Sequence, residues 1–158
     1  MAKLSDFDEI GRDFYESMPM PEFTYTPWVV PKPIAEARVA IISTAGLQLR
    51  GDRPFSVNSA DYRILPSDAS SADLVMSHIS INFDRSGFQQ DHNVALPIDR
   101  LNEFVADGKI GSAAAFHYSF MGATYPDKLE YAANQLVNVL KKDHVDSVLL
   151  VQIRRIPS

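Results

Sequence analysis

Cysteine is missing from this sequence, with none among its 158 residues. Without cysteine, these residues hold no disulfide, no thiolate nucleophile and no Cys-ligated zinc or iron–sulfur centre. Any redox chemistry would therefore depend on sulfur or selenium from outside these residues.

An excess of positive charge and a long apolar run are also missing. The formal net charge is −5 and the isoelectric point is about 5.3, so no basic surface is available for nucleic acid or anionic lipid. No run approaches the roughly 20 apolar residues that span a bilayer. The acidic start MAKLSDFDEIGRDFYESM does not have the layout of a signal peptide. We therefore expect a cytoplasmic protein that binds neither nucleic acid nor membranes.

Two regions differ in composition. Residues 1–37 combine an amphipathic helix, predicted over residues 4–17, with a strap rich in proline and aromatic residues that includes Phe23, Tyr25 and Trp28. Proline removes backbone donors and favours extended geometry, so we expect the strap to cover an edge of the core; a partner-binding arm is the alternative. Residues 38–158 are predicted to form a single α/β domain.

Strand and helix patterns alternate along this second region. Apolar runs predict strands at 38–44, 61–65, 72–81, 110–122 and 147–153, and apolar stripes with helical spacing predict helices at 96–108 and 125–144. Such alternation is typical of right-handed βαβ crossovers. The predicted fold is a three-layer, Rossmann-like α/β domain with a mostly parallel sheet and helices on both faces.

Polar side chains are expected at the carboxyl ends of these strands, where parallel sheets bind ligands. For His78 or His117 taken alone, a structural role is the alternative. The presence of both at one edge favours a pocket. His92 and His144 are interpreted as structural. The residues placed at this edge are Thr44, Arg50, His78, Asp84, His117 and Arg154.

Several common site motifs are not found. The turn TAGLQLRGD is too short and too poor in glycine for a dinucleotide or Walker loop. The histidines with Asp84 and Asp91 are types of residue that ligate metals, but no HExxH or other compact ligand spacing accompanies them. Metal binding therefore stays open, and we assign no metal ligand. No GxSxG elbow indicates a hydrolase.

The chain resembles the selenoprotein B-type subunit family of D-proline reductase and the glycine, sarcosine and betaine reductases, most closely the D-proline reductase branch. The resemblance rests on a collinear set of segments that runs through most of the sequence. These are TPWVVPKPIAEARVAIISTAGLQLRGDRPF, RILPSD with DLVMSH, FD with DHNVALPIDRLNEF, GKIGSAAAFHYSFMG and HVDSVLL.

The resemblance implies a reductase subunit whose reactive selenocysteine, or a replacing cysteine, follows the strand VDSVLL. It implies that this residue attacks the activated α-carbon of a small amino acid. In D-proline reductase, a pyruvoyl group on another subunit activates the substrate, and ring opening gives 5-aminovalerate. Dithiols supply the electrons that regenerate the enzyme. It also implies pocket positions. By the matching residues we assign catalytic roles to His78, Asp84 and His117, and substrate-binding roles to Thr44, Arg50, Asp91 and Arg154.

The chain departs from the family at the reactive position. Arg154 falls about where the selenocysteine should stand, and the family's C-terminal portion has no counterpart in the 158 residues. A guanidinium stays protonated and binds anions rather than attacking carbon. We therefore expect no cofactor bound by this chain itself, with the pyruvoyl group or the Sec or Cys in a partner subunit.

Three functions stay open at this point. The chain is either a reductase-like subunit completed by other subunits or by itself in an oligomer, a cysteine-free protein that binds a small amino acid or carboxylate through Arg50 and Arg154, or a regulatory or structural subunit. We favour the first. An open last strand supports it, since an uncovered edge pairs readily with another chain.

Overall fold

A computed structural model describes residues 4–17, 22, 24, 26, 29–80 and 85–152. Four helices and seven strands lie within these residues. The helices are α1 (Glu9–Glu16), α2 (Ser86–Gln90), α3 (Ile98–Ala106) and α4 (Pro126–Lys142). The strands are β1 (Arg38–Ser43), β2 (Leu47–Leu49), β3 (Tyr62–Pro66), β4 (Leu74–Met76), β5 (Ser112–Ala113), β6 (Phe116–Phe120) and β7 (Ser147–Val151).

The main sheet is built around β1. On one side β1 pairs in parallel first with β5 and then with β6, and on its other side it pairs in parallel with β7 over five residues. Strand β3 pairs antiparallel with β6 and forms the far edge. Strands β2 and β4 form a separate antiparallel pair. The predicted α/β class with a mostly parallel sheet is confirmed, and the sheet is mixed because of β3.

Apolar residues are buried on both faces of the sheet. One cluster includes Val39 and Ile41 of β1 and Leu101 of α3. The other joins Tyr118 and Phe120 of β6 to α4. Two-sided burial explains why β1 reads RVAIIS, a nearly continuous apolar run, rather than an alternating pattern.

Helix α4 forms where the sequence predicts it. Pro126 occupies the first turn, where a missing N–H costs nothing, and Lys141 and Lys142 lie in the last turn, next to the negative end of the helix dipole. Its buried residues Ala132 and Leu136 pack on Tyr118 and Phe120. Among the described residues, no helix is both long enough and apolar enough to cross a bilayer.

Two predicted strands are wrong in extent. The segment 72–81 is a strand only over Leu74–Met76, so His78 lies after this strand and not in it. The segment 110–122 is divided into β5 and β6, because the backbone N–H and C=O of Ala115 bond to Asp143 and Ser67 and leave the β1 ladder. Strand β2 and helix α2 were not predicted.

The N-terminal region is described in part. The predicted helix over 4–17 is a short 3-10 turn, Leu4–Asp6, followed by α1. The strap residues Phe23, Tyr25 and Trp28 lie outside the described residues, so their expected packing on the core stays a prediction.

Candidate functional site

Three loops meet beyond the carboxyl ends of β1, β4 and β6. We call residues 44–46, 77–80 and 121–124 the rim. The Gly46 N–H donates to the Phe120 carbonyl at 2.9 Å, the Gly122 N–H donates to the Thr44 carbonyl at 3.0 Å, and the Ser77 N–H donates to the Gly46 carbonyl at 2.9 Å. These backbone bonds tie the three loops into one unit. The expectation that loops after separate strands converge at one edge therefore holds for this part of the sheet.

Two glycines make this close approach feasible. Gly46 has a φ of +64°, and a Cβ added there would lie 3.1 Å from both the His78 Cα and the Met121 Cε. A Cβ on Gly122 would lie 2.6 Å from the Thr44 carbonyl oxygen. Real Cβ atoms do not come that close to backbone, so the rim geometry requires glycine at position 122.

His78 is the titratable side chain of the rim. It is 5% exposed, and its Nδ1 accepts a hydrogen bond from the Ser80 N–H at 3.2 Å. The Arg85 guanidinium donates to the His78 carbonyl. Burial, and then the charge of Arg85, lower the pKa of His78 below its usual 6.5. The imidazole is therefore neutral at pH 7 with its proton on Nε2, a form in which Nε2 is a hydrogen-bond donor.

Two serine hydroxyls, one half-buried and one fully buried, complete the rim and its base. The Ser77 Oγ donates to the Gln48 Oε1 at 2.7 Å and accepts from the Phe55 N–H at 3.0 Å. The Ser119 Oγ accepts from the Leu47 N–H at 2.8 Å. Sequence reasoning missed these residues; the signal was the single serine among larger residues in VMSHI and in HYSF, because serine suits places where strands diverge and backbone groups need side-chain partners.

His117 lies inside the sheet and not at the rim. We predicted that it follows a strand, but it is the second residue of β6 and is fully buried. Its Nδ1 accepts from the Ile41 N–H at 3.1 Å, filling the gap between β5 and β6. Ile41 is three residues before Thr44, which places this pair about 10 Å below the rim. Burial lowers the pKa of His117 to about 4, a shift that the Asp143 carboxylate opposes in part.

Arg50 and Asp91 lie away from the rim. Arg50 follows β2, at the end of the β2–β4 pair opposite to Gly46, and its Nε and Nη2 donate to the Ala72 carbonyl at 3.1 and 3.0 Å. Asp91 begins a 3-10 turn, where its carboxylate accepts from the backbone N–H and side-chain amide of Asn93. These two bonds lower the pKa of Asp91. Both residues are exposed and have structural partners.

Of the remaining three predicted residues, one lies at the rim and two lie outside the described residues. Thr44 is half-buried at the rim, where its N–H donates to the Val151 carbonyl at 3.0 Å. Asp84 and Arg154 lie outside the described residues. The structure thus brings Thr44 and His78 to the rim, while His117, Arg50 and Asp91 are located elsewhere.

Two surface grooves are found apart from the rim. One, of about 600 Å³, runs along β3 past Arg63 and Phe116. The other, of about 580 Å³, is lined by polar residues around Asp91 and Asp99. Within the described ranges, no three His, Asp or Glu side chains are grouped as metal ligands.

Comparison with known proteins gives one consistent result. The family model of the glycine/sarcosine/betaine reductase selenoprotein B matches residues 7–153. The D-proline reductase subunit gamma of Acetoanaerobium sticklandii is 30% identical over 153 residues, which are 95% of this chain and 61% of that relative. No solved structure matches the chain significantly.

Two further relatives are complex components. The betaine reductase complex component B subunit beta of Peptoclostridium acidaminophilum is 27% identical over 89% of this chain and 33% of its own length. The glycine reductase complex component B subunit gamma of Carboxydothermus hydrogenoformans is 28% identical over 89% of this chain and 34% of its own length. Because the family model covers most of the 158 residues, including all three loops of the rim, the chain belongs to the glycine/sarcosine/betaine reductase selenoprotein B family.

Proposed function

We propose that this chain is one subunit of a multi-chain reductase of small amino acids, of the D-proline, glycine or betaine type. The observation that carries the proposal is the family match over residues 7–153, which includes every loop of the rim. The relatives named above are a subunit or components of such reductases. This chain spans 61% of the D-proline reductase subunit and about a third of the others.

The chemistry requires a group that the 158 residues do not contain. Reductive cleavage of D-proline breaks the bond between the α-carbon and nitrogen, and two electrons and two protons from a dithiol give 5-aminovalerate. The attacking atom in this proposal is a selenolate or thiolate, and these residues hold no cysteine. The nucleophile therefore lies outside these 158 residues, and in this proposal a partner subunit supplies it, together with the pyruvoyl group where one is used.

In this proposal, the chain contributes the rim. His78 donates a hydrogen bond from its Nε2–H to the leaving nitrogen. The proton that must accompany cleavage of the carbon–nitrogen bond comes from the dithiol or from solvent, because a neutral imidazole is too weak an acid to supply it. Thr44 borders the same rim. The geometry gives His117 no access to substrate, because its ring is fully buried against Ile41, and we assign it to the stability of the sheet.

The carboxylate-binding alternative has less support than it had from the sequence. It used Arg50 and Arg154 to hold the anion, and Arg50 instead bonds the Ala72 carbonyl away from the rim. Arg154 lies outside the described residues. The reductase-subunit proposal needs neither arginine.

The test is purification of the tagged chain from its own cells, followed by mass spectrometry and an assay with D-proline, glycine, sarcosine, betaine and dithiothreitol. We expect a partner that carries selenocysteine or cysteine, and dithiol-dependent reduction of one substrate. His78→Asn should lower that activity at least tenfold, whereas the matched surface variant Arg50→Ala should leave it within twofold.

Two outcomes would overturn the proposal. A chain that is isolated without any partner carrying a selenol or thiol, and that reduces no substrate, is not a reductase subunit. A complex that forms and reduces its substrate equally well with His78→Asn assigns the chain a regulatory or structural role instead.

A further inference from the structure

Arg85 contacts the rim from the segment that leads into α2. Its Nη2 donates to the His78 carbonyl, and the residue is exposed. Burial and then the charge of Arg85 lower the pKa of His78, so the guanidinium lies close enough to the imidazole for the two to interact electrostatically. A cationic side chain that solvent can reach therefore lies beside the neutral imidazole of the rim.

The backbone around Arg85 is fixed by contacts other than the guanidinium. The Arg85 carbonyl accepts from the Gln89 N–H at 3.0 Å, a bond that starts helix α2. After this helix, the Ala95 carbonyl accepts from the Oγ of Ser43 at 2.7 Å, and Ser43 is the fully buried last residue of β1. The segment from Arg85 to Ala95 is thus joined to the carboxyl end of β1, next to Thr44.

The positive charge of Arg85 has no carboxylate partner among the residues that the structure describes. Most other arginines of the sheet domain have one. Guanidinium nitrogens lie 2.6 to 3.9 Å from an Asp or Glu oxygen in Arg38, Arg53, Arg63 and Arg100. Arg50 forms no such pair either, but it bonds the Ala72 carbonyl away from the rim. Beside His78, Arg85 therefore keeps guanidinium donors for an anion.

We propose that Arg85 binds the α-carboxylate of the amino acid substrate through the donors that the His78 carbonyl does not occupy. An α-amino acid carries a carboxylate and a nitrogen on one carbon, and the proposed function assigns the nitrogen to the Nε2–H of His78. Because Arg85 is bonded to His78, the partners for the two ends lie side by side. The planar guanidinium fork matches the geometry of a carboxylate. This inference rests on the proposed function, since that function supplies the α-amino acid.

The test compares each amino acid with its carboxamide, which keeps the nitrogen and removes the carboxylate. Calorimetry without dithiol, on the purified protein with its bound partners, measures the Kd of D-proline against D-prolinamide and of glycine against glycinamide. We expect one of the two acids to bind at least tenfold more tightly than its amide. Arg85→Gln should reduce this preference to within twofold. Arg85→Lys should keep an intermediate preference, because an ammonium retains the charge and loses the planar fork.

Turnover separates carboxylate binding from a structural role. Arg85→Gln should raise the KM of the acid at least tenfold and leave kcat within threefold, because the carboxylate is bound both before and during the reaction. Arg50→Gln is the matched control, since Arg50 is also an exposed arginine that bonds a backbone carbonyl. Its replacement should leave Kd and KM within twofold.

Three results would overturn the inference. The first is an unmodified protein that binds acid and amide equally. The second is an Arg85→Gln variant that keeps the preference for the acid, or that weakens acid and amide to the same extent and so only disturbs the rim. The third concerns Asp84, which precedes Arg85 and lies outside the described residues. A preference for the acid that increases in Asp84→Asn would show that Asp84 occupies the guanidinium.

The calorimetry also separates this inference from the reductase role. A protein that shows the Arg85-dependent preference for the acid and reduces no substrate would support the inference on Arg85 and contradict the reductase proposal. A complex that reduces its substrate with the same KM in Arg85→Gln would support the reductase proposal and contradict the inference.

Discussion

The two histidines that the sequence places together occupy different environments. His117 lies within the sheet, where its ring completes the hydrogen bonding of β1, and His78 lies in the rim, where three loops meet. Burial lowers the pKa of both. The two histidines differ in their surroundings, because the neighbours of His117 belong to regular strands and those of His78 belong to loops. A lowered histidine pKa therefore indicates burial, and the position in the fold decides whether the residue serves stability or chemistry.

Replacing each of the two histidines by alanine should affect the free energy of unfolding most differently. His117→Ala should lower the free energy of unfolding by about 3 kcal/mol, because it opens a cavity in the core and leaves the Ile41 N–H without its acceptor. His78→Ala should cost about half as much. Urea unfolding followed by circular dichroism measures both, and an equal loss in the two variants would remove the distinction.

A pH titration of stability should give an effect of similar size. The pKa of His117 falls from 6.5 to about 4 on folding, so the unfolded chain binds more protons between these values. Stability is then fully present above pH 6.5 and is lost as the pH falls towards 4, by up to about 1.4 kcal/mol per pH unit. The lowered pKa of His78 contributes with the same sign.

The control for this titration is His117→Asn, which keeps a side-chain acceptor and removes the titrating ring. Its free energy of unfolding should vary less with pH between 6.5 and 4 than that of the unmodified protein. An unchanged slope would mean that His117 is not the source of the pH dependence.

The structure of the rim predicts a smaller effect. Gly122→Ala should cost about 2 kcal/mol, because the added Cβ would lie 2.6 Å from the Thr44 carbonyl. Gly108→Ala is a control for backbone strain without collision: its φ is +69°, a conformation that Gly122 does not share, and nothing lies within 4 Å of an added Cβ. Thermal unfolding should show Gly122→Ala to be the more destabilising. Equal losses would mean that the rim yields to the added methyl group.

The smallest effect is expected at Arg50. Its guanidinium bonds the Ala72 carbonyl at an exposed turn, so Arg50→Ala should change stability by no more than about 0.5 kcal/mol. Any reductase activity of the assembled complex should persist. A loss of substrate binding in this variant would place Arg50 in the site, against the geometry.

Sequence patterns predicted the elements with strong periodicity and failed where hydrogen bonds between residues distant in sequence decide the structure. Helix α4 and strand β1 follow from their apolar spacing. The division of 110–122 into β5 and β6 does not, because it depends on Asp143, some 28 residues from Ala115 in sequence, accepting the Ala115 N–H. No pattern within the segment records such a contact.

The limits of sequence patterns also explain why some of the predicted site residues lie away from the rim. Thr44 and His78 were expected at one edge because Thr44 follows a predicted strand and His78 lies late in another, and loop connections bring them there. Arg50 was expected beside them because β2, only three residues long, was not predicted. This strand carries the chain away from the rim before Arg50 is reached. His117 was misplaced because Phe116–Phe120 continues as a strand past the predicted turn.

The most direct test of the difference between the two histidines is a heteronuclear NMR titration of their rings. The account predicts that His117 is neutral at pH 7 with its proton on Nε2 and Nδ1 as acceptor for the Ile41 N–H, and that it titrates near pH 4. Its ring should also respond to no substrate or partner. A His117 ring that titrates near 6.5, or that carries its proton on Nδ1, would contradict the account.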